Sequence, residues 1–318
     1  MTNPRVLIAD KIAPQCADIL REAGLDVTVK TGMSPEALAE TISDYDAMVV
    51  RSSTKARGEA FWSAAGKLRV VGRAGAGVDN VDLEAASANG TWVLNTPGGN
   101  NVSAAEHAIA LMMSLARNIP QASAEVTGGG WGKSKYKGVE VTDKTLAVLG
   151  LGAIGRIVAD RGVGLRMNVV AYDPFVDQSL VPAGVTLTSL EECLASADFI
   201  TIHVPLMDAT KDLINAERLA SVKAGARLIH AARGGIVNEA ALFAALSEGK
   251  LAGAALDVFE VEPSSPDNPL FTLPNVIATP HLGASTHEAQ DRVAVMVANQ
   301  IAALLNHGEV IHNVNQVG

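Results

Sequence analysis

The sequence predicts an α/β protein built from two parallel sheets, each covered by helices on both faces. Short runs rich in valine, isoleucine and leucine alternate with helical segments along most of the chain, which is the pattern of repeated βαβ units. Two long alanine-rich segments with helical periodicity separate these runs into groups. We therefore expect two doubly wound domains, one formed by residues 1–97 and 287–318 and the other by residues 98–286.

The first group of apolar runs predicts the strands of one sheet. These runs lie at 5–9, 27–30, 47–50, 68–72 and 91–94. Ser103 and Glu106 then show the spacing of a capping box, which predicts the start of a long helix that ends near Arg117. We expect this helix to cross from the first domain into the second.

The second group predicts a larger sheet. Its runs lie at 145–149, 168–172, 199–203, 226–232, 253–258 and 276–279. A second capping-box spacing, Ser285 with Glu288, predicts a helix that extends to about Asn306. We expect this last helix to return to the first domain.

Composition argues against several classes of protein. The 318 residues carry a net charge of −9, which argues against a nucleic-acid partner but leaves room for a local basic pocket. Cys16 and Cys193 are the only cysteines, so neither a disulfide framework nor a thiolate metal cluster is expected, and a cytoplasmic location fits. The first residues lead into a strand without the apolar run of a signal peptide or membrane span, so no membrane partner is expected.

A glycine-spaced turn follows the first strand of the second group. Gly150, Gly152 and Gly155 precede a helical segment, and this order is the fingerprint of a Rossmann dinucleotide site. The glycines allow a tight turn, a close approach of the backbone to a pyrophosphate, and close packing of helix on strand. Asp173 ends the next strand, where a carboxylate can bind the ribose hydroxyls of adenosine. Residues 174–178 contain no arginine or lysine, so we expect NAD rather than NADP.

Three ionisable residues, Arg233, Glu262 and His281, follow predicted strands of the second group. Ligands of open α/β sheets bind at this edge. A guanidinium there can hold a carboxylate through two hydrogen bonds, and an imidazole can exchange a proton with a hydroxyl or carbonyl oxygen while a glutamate fixes its tautomer. A single arginine, glutamate or histidine at a strand end more often has a structural role. All three residues together with a cofactor fingerprint favour an acid–base site.

Two further histidines and the remaining acids suggest no other chemistry. His107 and His230 stand in apolar segments and are expected in the core. No set of His, Cys and carboxylate residues has the spacing of metal ligands. We therefore expect no metal cofactor.

Motifs similar to those of one enzyme family occur along nearly the whole chain. They lie at 50–54, 71–82, 95–100, Trp131, 150–156, 203–205, 232–235, 255–259 and 279–286. Together they resemble the D-isomer-specific 2-hydroxyacid dehydrogenases. This resemblance implies a flavodoxin-like substrate domain, a Rossmann NAD-binding domain, and oxidation of a 2-hydroxy acid by NAD with hydride loss from C2.

The resemblance also implies residue roles. Arg233 would bind the substrate carboxylate, His281 would be the acid–base group, and Glu262 would be its partner. The NAD site would be lined, largely through backbone groups, by Ala76, Gly150, Gly152, Ala153, Ile154, Gly155, Asp173, His203, Val204, Pro205, Ala231, Ala232, Arg233, Asp257, His281, Gly283 and Ala284. Substrate contacts would come from Arg51, Ser52, Ala74, Gly75, Ala76, Asn100, Arg233 and His281.

Cationic residues bear on the choice of substrate. Within the family, the chain most resembles the members that oxidise D-3-phosphoglycerate to 3-phosphohydroxypyruvate in serine biosynthesis. The positions at or near the phosphate in those members are Arg51, Arg73, Lys133 and Lys135. Arg51 is the leading candidate because it directly follows a predicted strand. Phosphoglycerate is therefore the expected substrate.

Other interpretations stay open from the sequence. Hydroxypyruvate, glyoxylate or sulfolactate are alternative substrates, and NAD-sensing corepressors are similar to the same family without being enzymes. The helix from Ser103, with Met112 and Met113, suits a homodimer contact of the kind relatives make, although an interior helix explains the same pattern. No sequence follows Gly318 to form the serine-binding domain of longer members, so we expect no serine feedback.

Overall fold

A computed structural model describes residues 3–318. Met1 and Thr2, with which the first predicted domain begins, lie outside the described residues. The chain divides into two compact units: unit 1 runs to Asn100 and resumes at Ala284–Gly318, and unit 2 is Asn101–Gly283. The divisions thus follow residues 100 and 283, where the sequence had predicted 97 and 286.

Unit 1 contains a five-stranded parallel sheet. Its strands are β1 (Arg5–Ile8), β2 (Asp26–Val29), β3 (Ala47–Val50), β4 (Val70–Arg73) and β5 (Trp92–Leu94). Its helices are α1 (Gln15–Glu22), α2 (Pro35–Ile42), α3 (Glu59–Ala64), α4 (Leu83–Ala88) and α11 (His287–His307). The strand order β2-β1-β3-β4-β5 is the flavodoxin-like order, so this part of the predicted fold is confirmed.

Unit 2 contains a seven-stranded parallel sheet. Its strands are β6 (Thr145–Leu149), β7 (Asn168–Tyr172), β8 (Val185–Leu187), β9 (Phe199–Ile202), β10 (Ala226–His230), β11 (Leu251–Leu256) and β12 (Val276–Ala278). Its α-helices are α5 (Asn101–Arg117), α6 (Ile119–Thr127), α7 (Ala153–Gly164), α8 (Leu190–Ser196), α9 (Ala216–Ser221) and α10 (Glu239–Ser247), with short 3-10 turns at Lys133–Tyr136, Gln178–Leu180 and Pro269–Thr272. The order β12-β11-β10-β9-β6-β7-β8 reverses between β6 and β9, which is the Rossmann switch point.

Helices cover both faces of each sheet. Successive strand residues point to opposite faces, so each strand contributes side chains to both layers of helices. In unit 2, Leu146 and Val148 pack with α5 and α7, whereas Ala147 and Leu149 pack with α8, α9 and α10. In unit 1, α1 and α11 cover one face, and α2 and α3 cover the other. Gly72 of β4 permits the close approach of α11, because a β-carbon there would lie 2.5 Å from Val297.

Details at helix starts and at one sheet edge differ from the predictions. Helix α5 begins at Asn101, so Ser103 lies buried inside its first turn and is not the N-cap. Helix α11 is capped by Thr286, whose hydroxyl accepts the Ala289 N–H, one residue after the predicted Ser285. Strand β8 was not predicted, since it is short and only partly buried. Within residues 3–318, no helix is both long and apolar enough to cross a bilayer.

Candidate active site

The glycine turn after β6 is required by the backbone itself. Gly150 has φ 97°, a region that side chains avoid, and a β-carbon on it would lie 2.9 Å from the carbonyl of His203. A β-carbon on Gly155 would overlap the carbonyl oxygen of Gly150. These two glycines therefore allow α7 to start directly behind the strand.

Gly152 differs from its neighbours because nothing lies within 4 Å of the position its β-carbon would take. It is the N-cap of α7 and makes no side-chain cap, so no cap side chain satisfies the first N–H groups of that helix. Free N–H groups at a helix N-terminus favour phosphate. This space fits the pyrophosphate of a dinucleotide.

Asp173 follows β7 and is tied to the same turn. Its Oδ2 accepts the Leu151 N–H at 2.8 Å, and its Oδ1 accepts the Phe175 N–H at 2.9 Å. A carboxylate oxygen has a second acceptor direction, so both oxygens retain capacity for ribose hydroxyls. The turn, the helix N-terminus and this carboxylate fit NAD.

His281 and Glu262 form a close pair in unit 2. Nδ1 of His281 lies 2.7 Å from Oε2 of Glu262, and Oε1 of Glu262 accepts the Phe259 N–H at 3.1 Å. Burial raises the pKa of Glu262, but the hydrogen bond and charge of His281, the Phe259 N–H and the charge of Arg233 outweigh it and lower the pKa overall. The carboxylate is therefore ionised and accepts the proton on Nδ1, so that in the neutral form of the imidazole Nε2 is the proton acceptor.

Arg233 follows β10 and lies close enough to Glu262 for its charge to lower the pKa of that carboxyl. Its Nη1 also donates to the Ala232 carbonyl at 2.7 Å. Gly234 permits this placement, because a β-carbon there would overlap the carbonyl oxygen of Phe259. The chain after Arg233 thus packs directly on the segment that leads to Glu262, and the three ionisable residues predicted from strand ends lie together.

Two other histidines at this edge are neutral. Burial lowers the pKa of His203 to about 3 and that of His230 to about 4. Nε2 of His203 lies 2.8 Å from the hydroxyl of Thr201, and its backbone lies against Gly150. Both imidazoles are therefore uncharged near neutral pH.

Except for Arg233 and His281, the predicted substrate residues belong to unit 1. Asp10 is buried after β1, and its Oδ2 accepts the N–H groups of Arg51 at 2.6 Å and Thr54 at 3.1 Å. Asn80 donates to the carbonyls of Arg51 and Thr54 at 2.8 and 2.6 Å. Asp10 and Asn80 were not singled out from the sequence, although the place of Asp10 at a strand end is a usable signal. Together they fix the loop that carries Arg51 and Ser52.

The segment after β4 is less open than its small residues suggest. The guanidinium of Arg73 lies against Gly75 and fills the space that a side chain at position 75 would take. Asn95 donates to the Ala76 carbonyl at 2.7 Å, and Oδ1 of Asn100 is buried without a hydrogen-bond partner among residues 3–318. Ala284, which the resemblance assigns to the NAD site, also belongs to unit 1.

The other predicted cations lie in unit 2 after α6. Lys135 pairs with Glu125 at 3.0 Å, and Tyr136 donates to the same carboxylate at 2.7 Å. Trp131 is 83% exposed. Lys135 therefore already has a carboxylate partner, whereas among residues 3–318 the guanidinium of Arg51 makes one long hydrogen bond, to the Lys11 carbonyl at 3.3 Å. Among residues 3–318, no cluster of His, Cys, Asp and Glu has the arrangement of a metal site.

Comparison with known proteins gives the family. Residues 109–283 match the profile described as "D-isomer specific 2-hydroxyacid dehydrogenase, NAD binding domain". The chain belongs to this family. Unit 2 is accordingly its NAD-binding domain, in agreement with the predicted cofactor and with the geometry of the glycine turn.

Individual relatives agree along the whole chain. D-3-phosphoglycerate dehydrogenase of Archaeoglobus fulgidus is 49% identical over 312 residues, covering 98% of this chain and 59% of that protein. The NAD⁺-bound 3-phosphoglycerate dehydrogenase of Entamoeba histolytica superposes with a TM-score of 0.83 at 28% identity, covering 100% of both chains. A glyoxylate reductase from Paecilomyes thermophila gives a TM-score of 0.88 at 28% identity, covering 99% of both chains. The chain spans 49% to 59% of the length of the Archaeoglobus fulgidus protein and similar curated relatives.

Proposed function

We propose that this chain oxidises the 2-hydroxyl of D-3-phosphoglycerate with NAD, producing 3-phosphohydroxypyruvate. The observation that carries the proposal is the 2.7 Å contact between His281 and the ionised Glu262 in an NAD-binding unit, with Arg233 close to the same carboxylate. A hydroxy-acid oxidation needs one anchor for the carboxylate and one acceptor for the hydroxyl proton. These residues supply both.

Each residue has a distinct task in this reaction. The Arg233 guanidinium holds the substrate carboxylate through paired hydrogen bonds. Nε2 of His281 takes the hydroxyl proton, and Glu262 stabilises the imidazolium that results and keeps the ring in one tautomer. NAD, when bound, supplies the hydride acceptor. In the reverse direction the same imidazolium returns the proton to the carbonyl oxygen.

Phosphoglycerate is proposed over other hydroxy acids because of Arg51 and the relatives. The curated relatives at 46–49% identity are described as D-3-phosphoglycerate dehydrogenases. Arg51 is part of a loop fixed by buried Asp10, and its guanidinium makes no ion pair with a carboxylate among residues 3–318. Asp10 fixes the backbone of Arg51, and a guanidinium without a carboxylate partner is suited to a phosphate.

The test is an NADH-absorbance assay of the purified chain with a panel of acids. The oxidative panel contains D-3-phosphoglycerate, D-glycerate and D-lactate, and the reductive panel contains 3-phosphohydroxypyruvate, hydroxypyruvate, glyoxylate and sulfopyruvate. Within each panel we expect kcat/KM to be highest for the phosphorylated acid. A higher value for glyoxylate or hydroxypyruvate than for 3-phosphohydroxypyruvate would reassign the substrate, and NADH binding without turnover of any acid would overturn the enzymatic proposal.

We also propose that the chain forms a homodimer in the cytoplasm. Met112, which the sequence suggested for the contact, is buried in the core of unit 2. Helix α6 instead buries none of its residues and exposes Ile119 and Val126, and apolar surface of this kind favours association. Both cysteines are free thiols, in keeping with a reducing compartment. Sedimentation velocity of wild type and of Ile119→Glu would test the contact, because the substitution should shift a dimer to monomer.

A further inference from the structure

A buried carboxylate, Asp257, organises the turn that carries His281. Asp257 follows β11 and is 1% exposed. Its Oδ1 accepts the Leu282 N–H at 2.7 Å and the Thr279 hydroxyl at 2.6 Å, and its Oδ2 accepts the Gly283 N–H at 2.9 Å. The resemblance placed Asp257 in the NAD site, but most of its hydrogen bonds go to the 279–283 turn.

The same turn holds His281 in an unfavourable backbone conformation. His281 has φ 54°, which costs a residue with a side chain free energy and persists only where surrounding contacts enforce it. Its N–H donates to the backbone carbonyl of Asp257 at 2.9 Å. The direction of the imidazole toward Glu262 therefore depends on the bonds that Asp257 makes.

His107 completes this network from α5. Its Nε2 lies 3.1 Å from Oδ1 of Asp257 and 3.2 Å from the hydroxyl oxygen of Thr279. Burial raises the pKa of Asp257, but hydrogen bonds from His107, Thr279 and Leu282 outweigh it and lower the pKa overall. The carboxylate is thus ionised and already receives the Thr279 proton, so Nε2 of His107 is the donor in the remaining contact.

We propose that His107 is a positioning residue for His281. By donating Nε2–H to Asp257 and the Thr279 oxygen, it fixes the turn from which the acid–base imidazole projects, and it exchanges no proton with substrate. The catalytic consequence rests on the proposed function, whereas the ordering of the turn does not.

Two substitutions separate the hydrogen bond from the packing of the ring. In His107→Gln, the amide nitrogen can take the place of Nε2, whereas His107→Leu keeps apolar bulk and removes the donor. Glu106→Gln is the matched control, because Glu106 is on the same helix and pairs with Arg161 rather than with the turn.

The first measurement is hydrogen–deuterium exchange of the peptide that spans residues 279–284. We expect the amides bonded to Asp257 to exchange about tenfold faster in His107→Leu, because they report local opening. His107→Gln and Glu106→Gln should stay close to wild type, and peptides elsewhere in unit 2 should be unchanged. Equal exchange in wild type and His107→Leu, or uniform acceleration across unit 2, would overturn the inference.

The second measurement is steady-state kinetics with D-3-phosphoglycerate and its 2-deuterated form. His107→Leu should lower kcat by about tenfold or more, since small misplacement of a catalytic group is costly, with KM and NADH affinity close to wild type. The primary isotope effect on kcat should rise, and His107→Gln should restore both values. A normal kcat in His107→Leu overturns the positioning role, whereas an inactive wild type overturns the proposed function and leaves the exchange result to decide whether His107 orders the turn.

Discussion

Replacing Gly152 by alanine tests the cofactor site without disturbing the fold. The added methyl group would meet no protein atom within 4 Å, and the residue has an extended backbone with φ −62° and ψ −168° that alanine adopts freely. The free energy of unfolding should therefore stay within about 0.5 kcal/mol of wild type. The methyl group would occupy the open space at the α7 N-terminus where we expect the pyrophosphate, so NADH should bind at least about tenfold more weakly, a loss of about 1.4 kcal/mol.

A matched control comes from the other end of the same helix. Gly164 is the last residue of α7 and also has open space at its β-carbon position. Alanine there should stabilise the protein by up to about 1 kcal/mol, because glycine is a poor helix former, and NADH affinity should not change. Fluorescence titration with NADH and urea unfolding measure the two quantities. Wild-type NADH affinity in Gly152→Ala would refute the placement of the pyrophosphate at this helix.

Three further predictions address the reaction and the buried histidines. His281→Gln should lower kcat by about 100-fold with NADH binding retained, whereas Arg233→Ala should mainly raise KM for the acid by a similar factor; near-normal steady-state kinetics in either variant would remove its role. Arg51→Ala should raise KM for D-3-phosphoglycerate by about tenfold or more and leave D-glycerate turnover unchanged, and an equal effect on both acids would contradict phosphate binding. The pKa of His230 falls to about 4 on folding, from an ordinary value of 6.5. The unfolded chain therefore binds more protons between these values, and stability falls as the pH drops through this range. His230→Asn should reduce that slope by about 1.4 kcal/mol per pH unit in urea unfolding, and a slope equal to wild type would show that His230 does not titrate in this way.

Periodicity was enough to predict the two sheets because both are buried on both faces. Strands of this kind are nearly continuous apolar runs, and eleven such runs became strands within a few residues. Strand β8 lacked the signal, since Val185–Leu187 is a short edge strand with partly exposed side chains. The start of α5 at Asn101 and the cap of α11 at Thr286 differ from the capping-box spacings because the path of the preceding loop decides which side chain caps a helix.

The parts of the site that follow strand ends were accessible from the sequence, whereas those that depend on long-range pairing were not. Arg233, Glu262 and His281 each follow a β-strand or its loop, and parallel strands bring their carboxyl ends to one edge. His107 and Asp257 are 150 positions apart along the chain, but Nε2 of His107 lies 3.1 Å from Oδ1 of Asp257. Its apolar helix predicted a core residue, and no local pattern indicated which carboxylate it would meet.

The two histidine–carboxylate pairs of unit 2 have similar chemistry but different access to solvent. The side chains of His281 and Glu262 are 44% and 37% exposed, whereas those of His107 and Asp257 are 19% and 1% exposed. A group that exchanges protons with a substrate must be reachable by it, while a group that orders a turn gains strength from burial because its hydrogen bonds are shielded from water. This difference in exposure supports the proposed proton transfer at the first pair and the proposed supporting role of the second. The Asp257 network connects them, since the turn held by the buried pair carries the imidazole of the exposed one.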